Sequence, residues 1–361
     1  MSSAVPITVL TGFLGSGKTT LLRRLLQDPA MAGTAVIINE FGDVGLDDAL
    51  VEKADEDTIL LPSGCVCCAV RGDLTKALAK LHRQSLHGEV PPIKRVVLET
   101  SGLADPTPVA HTLMTDEDTF RIYQLDGIVT TVDAQHGLAQ LDANYEPAKQ
   151  IALADRIVLT KTDLVDAATI AALEVRIRSL NQNAEILRVV KGETEPARLT
   201  GLGAHEPALM GSDPERWLGH VHDQTCAPDC GHDHAHEHEG HHHHVHAAPA
   251  SAAHLHDIGS FSLVFEKPLD GNALSLALQT LAAAYGDRLL RVKGIATVDG
   301  QTKPFVVHGV QHIFYPPDVL RDWPKHADGA LDRRSRFVFI TRALSRDVVV
   351  KHLQPFLGAP I

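Results

Sequence analysis

The stretch Gly12-Phe13-Leu14-Gly15-Ser16-Gly17-Lys18-Thr19 constrains this chain more than any other, because it fits G-x-x-x-x-G-K-[ST] and joins two different local patterns. Before it, Ile7-Thr8-Val9-Leu10 is a short apolar run that predicts a buried strand. After it, Thr20 to Leu26 predicts a helix. A strand turning through a glycine-rich loop into a helix N-terminus makes an anion cradle. Glycines let successive N–H groups face phosphate oxygens, and the helix end adds a partial positive charge. Residues Gly12 to Thr20 are thus candidate nucleotide contacts. Lys18 is suited to reach the β- and γ-phosphates as a catalytic group, and the Thr19 hydroxyl to ligate Mg²⁺. A chance Gly-rich turn is the competing reading, and the flanking strand and helix weigh against it.

With 361 residues the chain exceeds a usual single core, so two domains are expected. No run of 18 apolar residues predicts a membrane span, and the N-terminus has no signal-peptide pattern. A cytoplasmic protein without membrane partners is the expectation. The net charge of −12 argues against a broad nucleic-acid-binding face and suits a handler of cations. Five cysteines, clustered as three plus two, suggest metal chemistry rather than a disulfide framework.

Strand-like and helix-like segments alternate through the first 190 residues. Strands are expected at Ala35 to Asn39, Ile59 to Leu61, Arg95 to Leu98, Gly127 to Val132, Arg156 to Thr160 and Ala184 to Val190. Asp73 could cap a helix whose Leu74, Leu78 and Leu81 fall on one face, and Ala168 to Leu180 is also helical. This alternation predicts an α/β domain with a mostly parallel sheet over residues 1–200. Residues 201–257 are rich in His, Asp, Glu, Ala and Pro and predict a flexible linker. Residues 258–361 predict a smaller α+β domain. Its strands are expected at Phe261 to Phe265, Leu289 to Val298, Lys303 to Val310 and Arg336 to Thr341, with helices at Asn272 to Tyr285 and Ser345 to Leu353.

Thr160-Lys161-Thr162-Asp163 ends a predicted strand. A carboxylate there can accept from guanine N1–H and its 2-amino group, a donor pair adenine lacks, and the Lys161 stem can lie along the base. The alternative is a solvated turn in which Asp163 caps the next helix. Glu99-Thr100-Ser101-Gly102 ends another strand. Glu99 could orient Mg²⁺ or its water, while Gly102 could approach the γ-phosphate. Asp133 also ends a strand and reads as structural or nucleotide-adjacent.

Cys65-Val66-Cys67-Cys68 lies between Gly64 and Gly72 and puts three thiols within four residues. Thiolates select Zn²⁺, Cu(I) and similar ions, and zinc wants four ligands. The fourth could be Glu40, a histidine, water or a client protein. Buried structural cysteines or a redox dithiol are the alternatives. The run from His220 to His256 holds 13 of the 22 histidines, with Cys226 and Cys230, and reads as metal collection or as a solvated loop. His82, His111, His136 and His308 are expected in packing or surface roles.

Together these features resemble the CobW-like metallochaperone GTPases, relatives of the GTPases that insert nickel into hydrogenase and urease. The matching residues are the Gly12–Thr19 loop, Asn39-Glu40-Phe41-Gly42, the C-x-C-C of Cys65–Cys68, the E-T-S-G of Glu99–Gly102, and Thr160–Asp163. The His-rich linker and small C-terminal domain complete the match. The family usually has Asn where Thr160 stands. The resemblance implies GTP hydrolysis coupled to delivery of Zn²⁺, with Co²⁺ or Ni²⁺ as alternatives, to a metalloprotein client. It implies Cys65, Cys67 and Cys68 as ligands, Glu40 as a nearby ligand or switch residue, and Cys68, Ala69, Val70, Arg71 and Gly72 close to the nucleotide. A homodimer is compatible with it. A passive buffer or sensor that uses GTP only as a conformational ligand is the other reading, and a nucleotide kinase lacks the Arg-rich lid it would need.

Overall fold

The computed structural model describes residues 4–39, 59–63, 72–203, 218, 257–320, 322–325, 330–358 and 360. Glu40, Cys65, Cys67, Cys68, Ala69, Val70, Arg71 and the whole His-rich run from His220 to His256 lie outside them.

Seven strands form the first sheet: β1 (Val5–Gly12), β2 (Thr34–Asn39), β3 (Ile59–Ser63), β4 (Arg95–Glu99), β5 (Tyr123–Asp133), β6 (Arg156–Thr160) and β7 (Glu185–Arg188). Their order is β3-β2-β4-β1-β5-β6-β7, and every pairing is parallel. Ile7, Val9, Val36, Leu98, Ile128 and Val158 are fully buried, because helices cover both faces of a parallel sheet. One layer uses the Lys18–Leu25 helix; Leu21 and Leu22 pack there on Leu10, Val36, Val97 and Val129. The opposite layer includes the Gly72–Leu86 helix, which buries Leu74, Leu78 and Leu81 as their spacing predicts. Asp73 stands inside that helix rather than before it.

The strand expectations hold within a few residues, and β5 is longer than expected because Tyr123 to Asp126 extend it beside Val5 to Ile7. Four helices had no sequence expectation: Thr107–Thr115, Glu117–Ile122, Gly137–Ala143 and Tyr145–Leu153. No helix among the described residues is long and apolar enough to cross a membrane.

The second sheet is antiparallel. Its main strands are β8 (Ile258–Phe265), β9 (Leu289–Ala296), β10 (Phe305–Val310) and β13 (Ser335–Arg342), with short β11 (Ile313–Phe314) and β12 (Asp318–Val319) pairing β10. Helices Gly271–Tyr285 and Arg346–Leu357 pack over Leu263, Val292, Phe337 and Phe339.

Ile258, Leu290, Val310, Tyr315 and Ile340 of this second unit join the core cluster of the first. At its centre the Arg291 guanidinium donates to both Asp155 oxygens, at 2.6 and 2.7 Å, and to Leu153 O at 2.8 Å. Lys293 Nζ lies 2.5 Å from Asp155 Oδ1, and Ile128 N donates to Oδ2 at 2.9 Å. Burial alone would raise the Asp155 pKa, but the Arg291, Lys293 and His308 charges outweigh it and hold the carboxyl well below its ordinary value. Burial pushes the Lys293 ammonium down to about 8, against the pull of Asp155. At the rim, His111 Nε2 and Val310 O are 3.0 Å apart, and Arg342 donates to the Tyr145 hydroxyl at 3.1 Å.

Candidate functional site

All seven strands of a parallel sheet end on one edge, and the candidate residues with described positions collect there. β1 delivers Gly12 at φ 142°, in a place where a Cβ would stand 2.2 Å from Thr131 Oγ1. Only glycine lets the backbone lie this close to β5 and then turn into the loop. The loop closes with Ser16 N donating to Phe13 O at 3.1 Å. Gly17 precedes the helix, whose first residues have no side-chain cap. Its leading N–H groups therefore face the loop, as an anion cradle requires.

The Lys18 side chain is 9% exposed and folds back over the loop, donating to Gly12 O at 2.8 Å and to Phe13 O at 3.3 Å. Thr19 Oγ1 donates to Glu99 Oε1 at 2.9 Å across 80 residues of sequence. Glu99 is 4% exposed at the end of β4. Thr19 and Glu99, assigned separately from two motifs, thus meet in one oxygen-rich spot beside the loop. Behind them Thr100 Oγ1 donates to Thr11 Oγ1 at 2.8 Å, fixing the ends of β4 and β1 together. Gly102 lies against Leu14 of the loop, where a Cβ would be 2.7 Å from Leu14 N.

On the other side, β6 delivers Thr160. Its hydroxyl donates to Ser16 O at 2.7 Å, and the Ser16 hydroxyl lies 2.6 Å from Thr131 Oγ1. Threonine here performs a bridging contact to the loop, so a side-chain amide is not required for it. Lys161 adopts φ 56° and donates to Gly15 O at 2.9 Å and to Asp133 Oδ2 at 2.6 Å. Asp163 lies exposed in the short turn Thr162–Leu164. It does not cap the next helix: Asp166 does, accepting from Thr169 N at 2.8 Å. The Asp163 carboxylate is therefore not spent on capping that helix.

Sequence reasoning did not find the partners of these residues. Thr131, Gln140, whose amide reaches Leu14 O at 3.5 Å, and the Asp133 link to Lys161 carry no motif of their own. The one available signal is that Thr131 and Asp133 occupy the last turns of a buried strand, where a parallel sheet exposes its edge. The four singled-out histidines take the expected roles: His82 packs edge-on to Tyr123, His111 and His308 are buried, and His136 precedes the Gly137–Ala143 helix.

Glu40 and the thiol segment lie outside the described residues, but the strands that lead into them do not. β2 ends at Asn39, directly before Glu40, and β3 ends at Ser63, directly before Gly64. Asn39 and Ser63 pair in register, and Ile38 pairs with Glu99. The chain therefore leaves the sheet towards Glu40 and towards Cys65 from neighbouring strand ends, on the edge that carries Glu99 and the loop. The described chain resumes at Gly72, the start of a helix. Among the described residues no group of three or more His, Cys, Asp or Glu side chains is arranged to hold a metal ion.

Comparison with known proteins follows the same division. Residues 6–188 match the CobW/HypB/UreG nucleotide-binding domain, and residues 258–357 match the cobalamin synthesis protein cobW C-terminal domain. The chain is 31% identical over 321 residues to the protein named zinc chaperone YjiA of Escherichia coli strain K12, covering 88% of this chain and 90% of that one. It is 29% identical over 386 residues to the protein named zinc chaperone CobW of Pseudomonas aeruginosa, covering 98% and 92%. The crystal structure of Zn(II)-bound YjiA GTPase from E. coli superposes with a TM-score of 0.65 at 26% identity, covering 98% of this chain and 99% of that one. Two matched domains in the same order, on a fold shared from end to end with such a relative, mean that this chain belongs to the CobW/HypB/UreG family and carries the CobW-type C-terminal domain.

Proposed function

We propose that this P-loop GTPase is a metallochaperone that binds Zn²⁺ at its C-x-C-C segment and passes the ion to a client metalloprotein, with GTP hydrolysis timing the transfer. The observation that carries the reading is the shared sheet edge: the strand ends leading to Glu40 and Cys65 pair in register beside Glu99, next to the Gly12–Thr19 loop. Relatives named zinc chaperone and zinc-regulated GTPase metalloprotein activator support zinc as the cargo. The division into a GTPase domain to residue 200, a linker to 257 and a C-terminal domain belongs to the same proposal, as does a cytoplasmic setting.

Each described side chain has a definite task in this reading. Lys18 leaves its carbonyl partners for the β- and γ-phosphates, supplying a cation where negative charge gathers during hydrolysis. Thr19 and Glu99 offer hard oxygen donors, which suit Mg²⁺ and its waters. That ion, when bound, neutralises phosphate charge. Thr160 and Lys161 tie the base-binding turn to the loop through Ser16 O and Gly15 O. Asp163 accepts from the guanine edge. Cys65, Cys67 and Cys68 hold the ion as thiolates, with Glu40 as the fourth ligand or a switch residue, and Cys68 to Gly72 approach the nucleotide. An ordered γ-phosphate would then alter the thiol segment through the strand ends they share.

Titrating Zn²⁺ against a chelator in the GTP-analogue and GDP forms tests the coupling. If zinc changes GTP affinity, GTP must change zinc affinity by the same factor. Replacing Cys65, Cys67 and Cys68 together by serine should remove the tight zinc site while GTP still binds. Equal zinc affinities in the two nucleotide forms would replace transfer with passive buffering. Asp163→Asn should narrow the preference for GTP over ATP, and an unchanged preference would remove Asp163 from base recognition.

A further inference from the structure

The end of β5 carries a charged contact to the lysine that also reaches the phosphate loop. Asp133 is 1% exposed, and its two oxygens are divided between two tasks. Oδ1 accepts from Gln135 N at 2.8 Å and His136 N at 3.3 Å, which locks the carboxylate's orientation. Oδ2 is thereby aimed at Lys161 Nζ, 2.6 Å away. The strand ends bring the two together: Asp133 pairs with Thr160 in register, and Ala134 N donates to Thr160 O at 3.0 Å.

Lys161 stands at φ 56°, a left-handed conformation that a side-chain-bearing residue adopts at a steric cost. Its reversal starts the Thr162–Leu164 turn, closed by Leu164 N donating to Lys161 O at 3.1 Å. Asp163 is the middle residue of that turn. The Lys161 ammonium also holds Gly15 O of the phosphate loop at 2.9 Å. One lysine therefore spans base turn and loop, and a buried carboxylate fixes that lysine.

We propose that Asp133 is a positioning residue for guanine-nucleotide binding: it anchors Lys161 so that the Asp163 turn and the Gly12–Thr19 loop keep one fixed spacing. This rests on Asp163 being the base-recognition residue. A nucleotide spans both elements, so a loosened spacing must be restored on binding, and affinity falls.

The test is a double-mutant cycle on GTP affinity. Asp133→Asn keeps an oxygen for Gln135 N and His136 N but turns an amide N–H₂ towards Lys161, donor against donor. GTP affinity should drop by roughly 10-fold, about 1.4 kcal/mol. Lys161→Met keeps the aliphatic stem and removes the ammonium. In that background Asp133→Asn should change GTP affinity by less than about 2-fold, because its partner is already gone. In steady state the loss should fall on KM more than on kcat. If Asp133→Asn folds poorly, Asp133→Ser, whose hydroxyl can still accept from Gln135 N, takes its place in the cycle. Equal losses with and without Lys161 would show a purely structural role and overturn the proposal, as would an unchanged GTP affinity. The Asp163→Asn preference assay separates the two ideas. If preference narrows there but the cycle is additive, the anchoring role fails alone. If preference is unchanged there, base recognition by Asp163 fails, and with it the premise of the anchor.

Discussion

Replacing Asp155 by Asn should uncouple the two sheets more than any other single substitution at their interface. The carboxylate is 4% exposed and faces Arg291 at 2% and Lys293 at 11%. Asparagine keeps an oxygen for Ile128 N but removes the charge, leaving two buried cations without their counter-ion. Breaking a buried pair in this way costs about 3–5 kcal/mol, because the desolvation of the remaining charge is no longer offset. At about 2–4 °C per kcal/mol for units of this size, calorimetry should show a midpoint lowered on the order of 10 °C. The transition should also broaden or split as the C-terminal unit loosens. A triple variant, Asp155→Asn with Arg291→Met and Lys293→Met, should recover at least half the loss, since no buried charge is left unpaired. The wild-type advantage over Asp155→Asn should persist from pH 7 to 5. The Asp155 pKa is depressed in the fold relative to an unfolded value of about 3.9, so its contribution is lost as pH falls below about 4. A midpoint within about 1 °C of wild type at pH 7, or no recovery in the triple variant, would refute the argument.

Lys18→Ala should abolish tight GTP binding, since the triphosphate loses its main side-chain cation; near-normal hydrolysis would reject the phosphate-loop assignment. Gly102→Ala should weaken GTP by roughly 10-fold or more in an equilibrium titration. Its Cβ would meet Leu14 Cδ2 at 2.6 Å and Leu14 N at 2.7 Å, so the loop itself must move, at a cost of about 1–3 kcal/mol. Deleting residues 220–256 should lower the total zinc bound, measured by metal analysis, while leaving GTP hydrolysis and the tightest site in place. Imidazoles spaced along a polar run are individually weak ligands, and loss of the tightest site would move the principal ligands out of Cys65–Cys68.

The Gly12–Thr19 loop, the parallel sheet and the strand-end placement of Glu99, Asp133 and Thr160 were legible in the sequence because each is a local pattern. A glycine spacing, an apolar run or a polar residue closing that run is set by neighbours a few positions away. Helices without an amphipathic stripe were not legible. Thr107–Thr115 buries seven of its nine residues, and Tyr145–Leu153 buries six of nine, so neither shows the one-sided periodicity that marks a surface helix. Threonine at position 160, where the family usually has Asn, gave no hint in the sequence of its partner, and the structure shows its hydroxyl donating to Ser16 O of the loop. Only the tertiary structure brought Thr19 to Glu99, Lys161 to Asp133, and Asp155 to Arg291 and Lys293. These pairs are separated by 80, 28 and more than 130 residues. Strand order decides such meetings: the sequence specifies which residues end at the sheet's edge, and packing specifies which of those ends become neighbours.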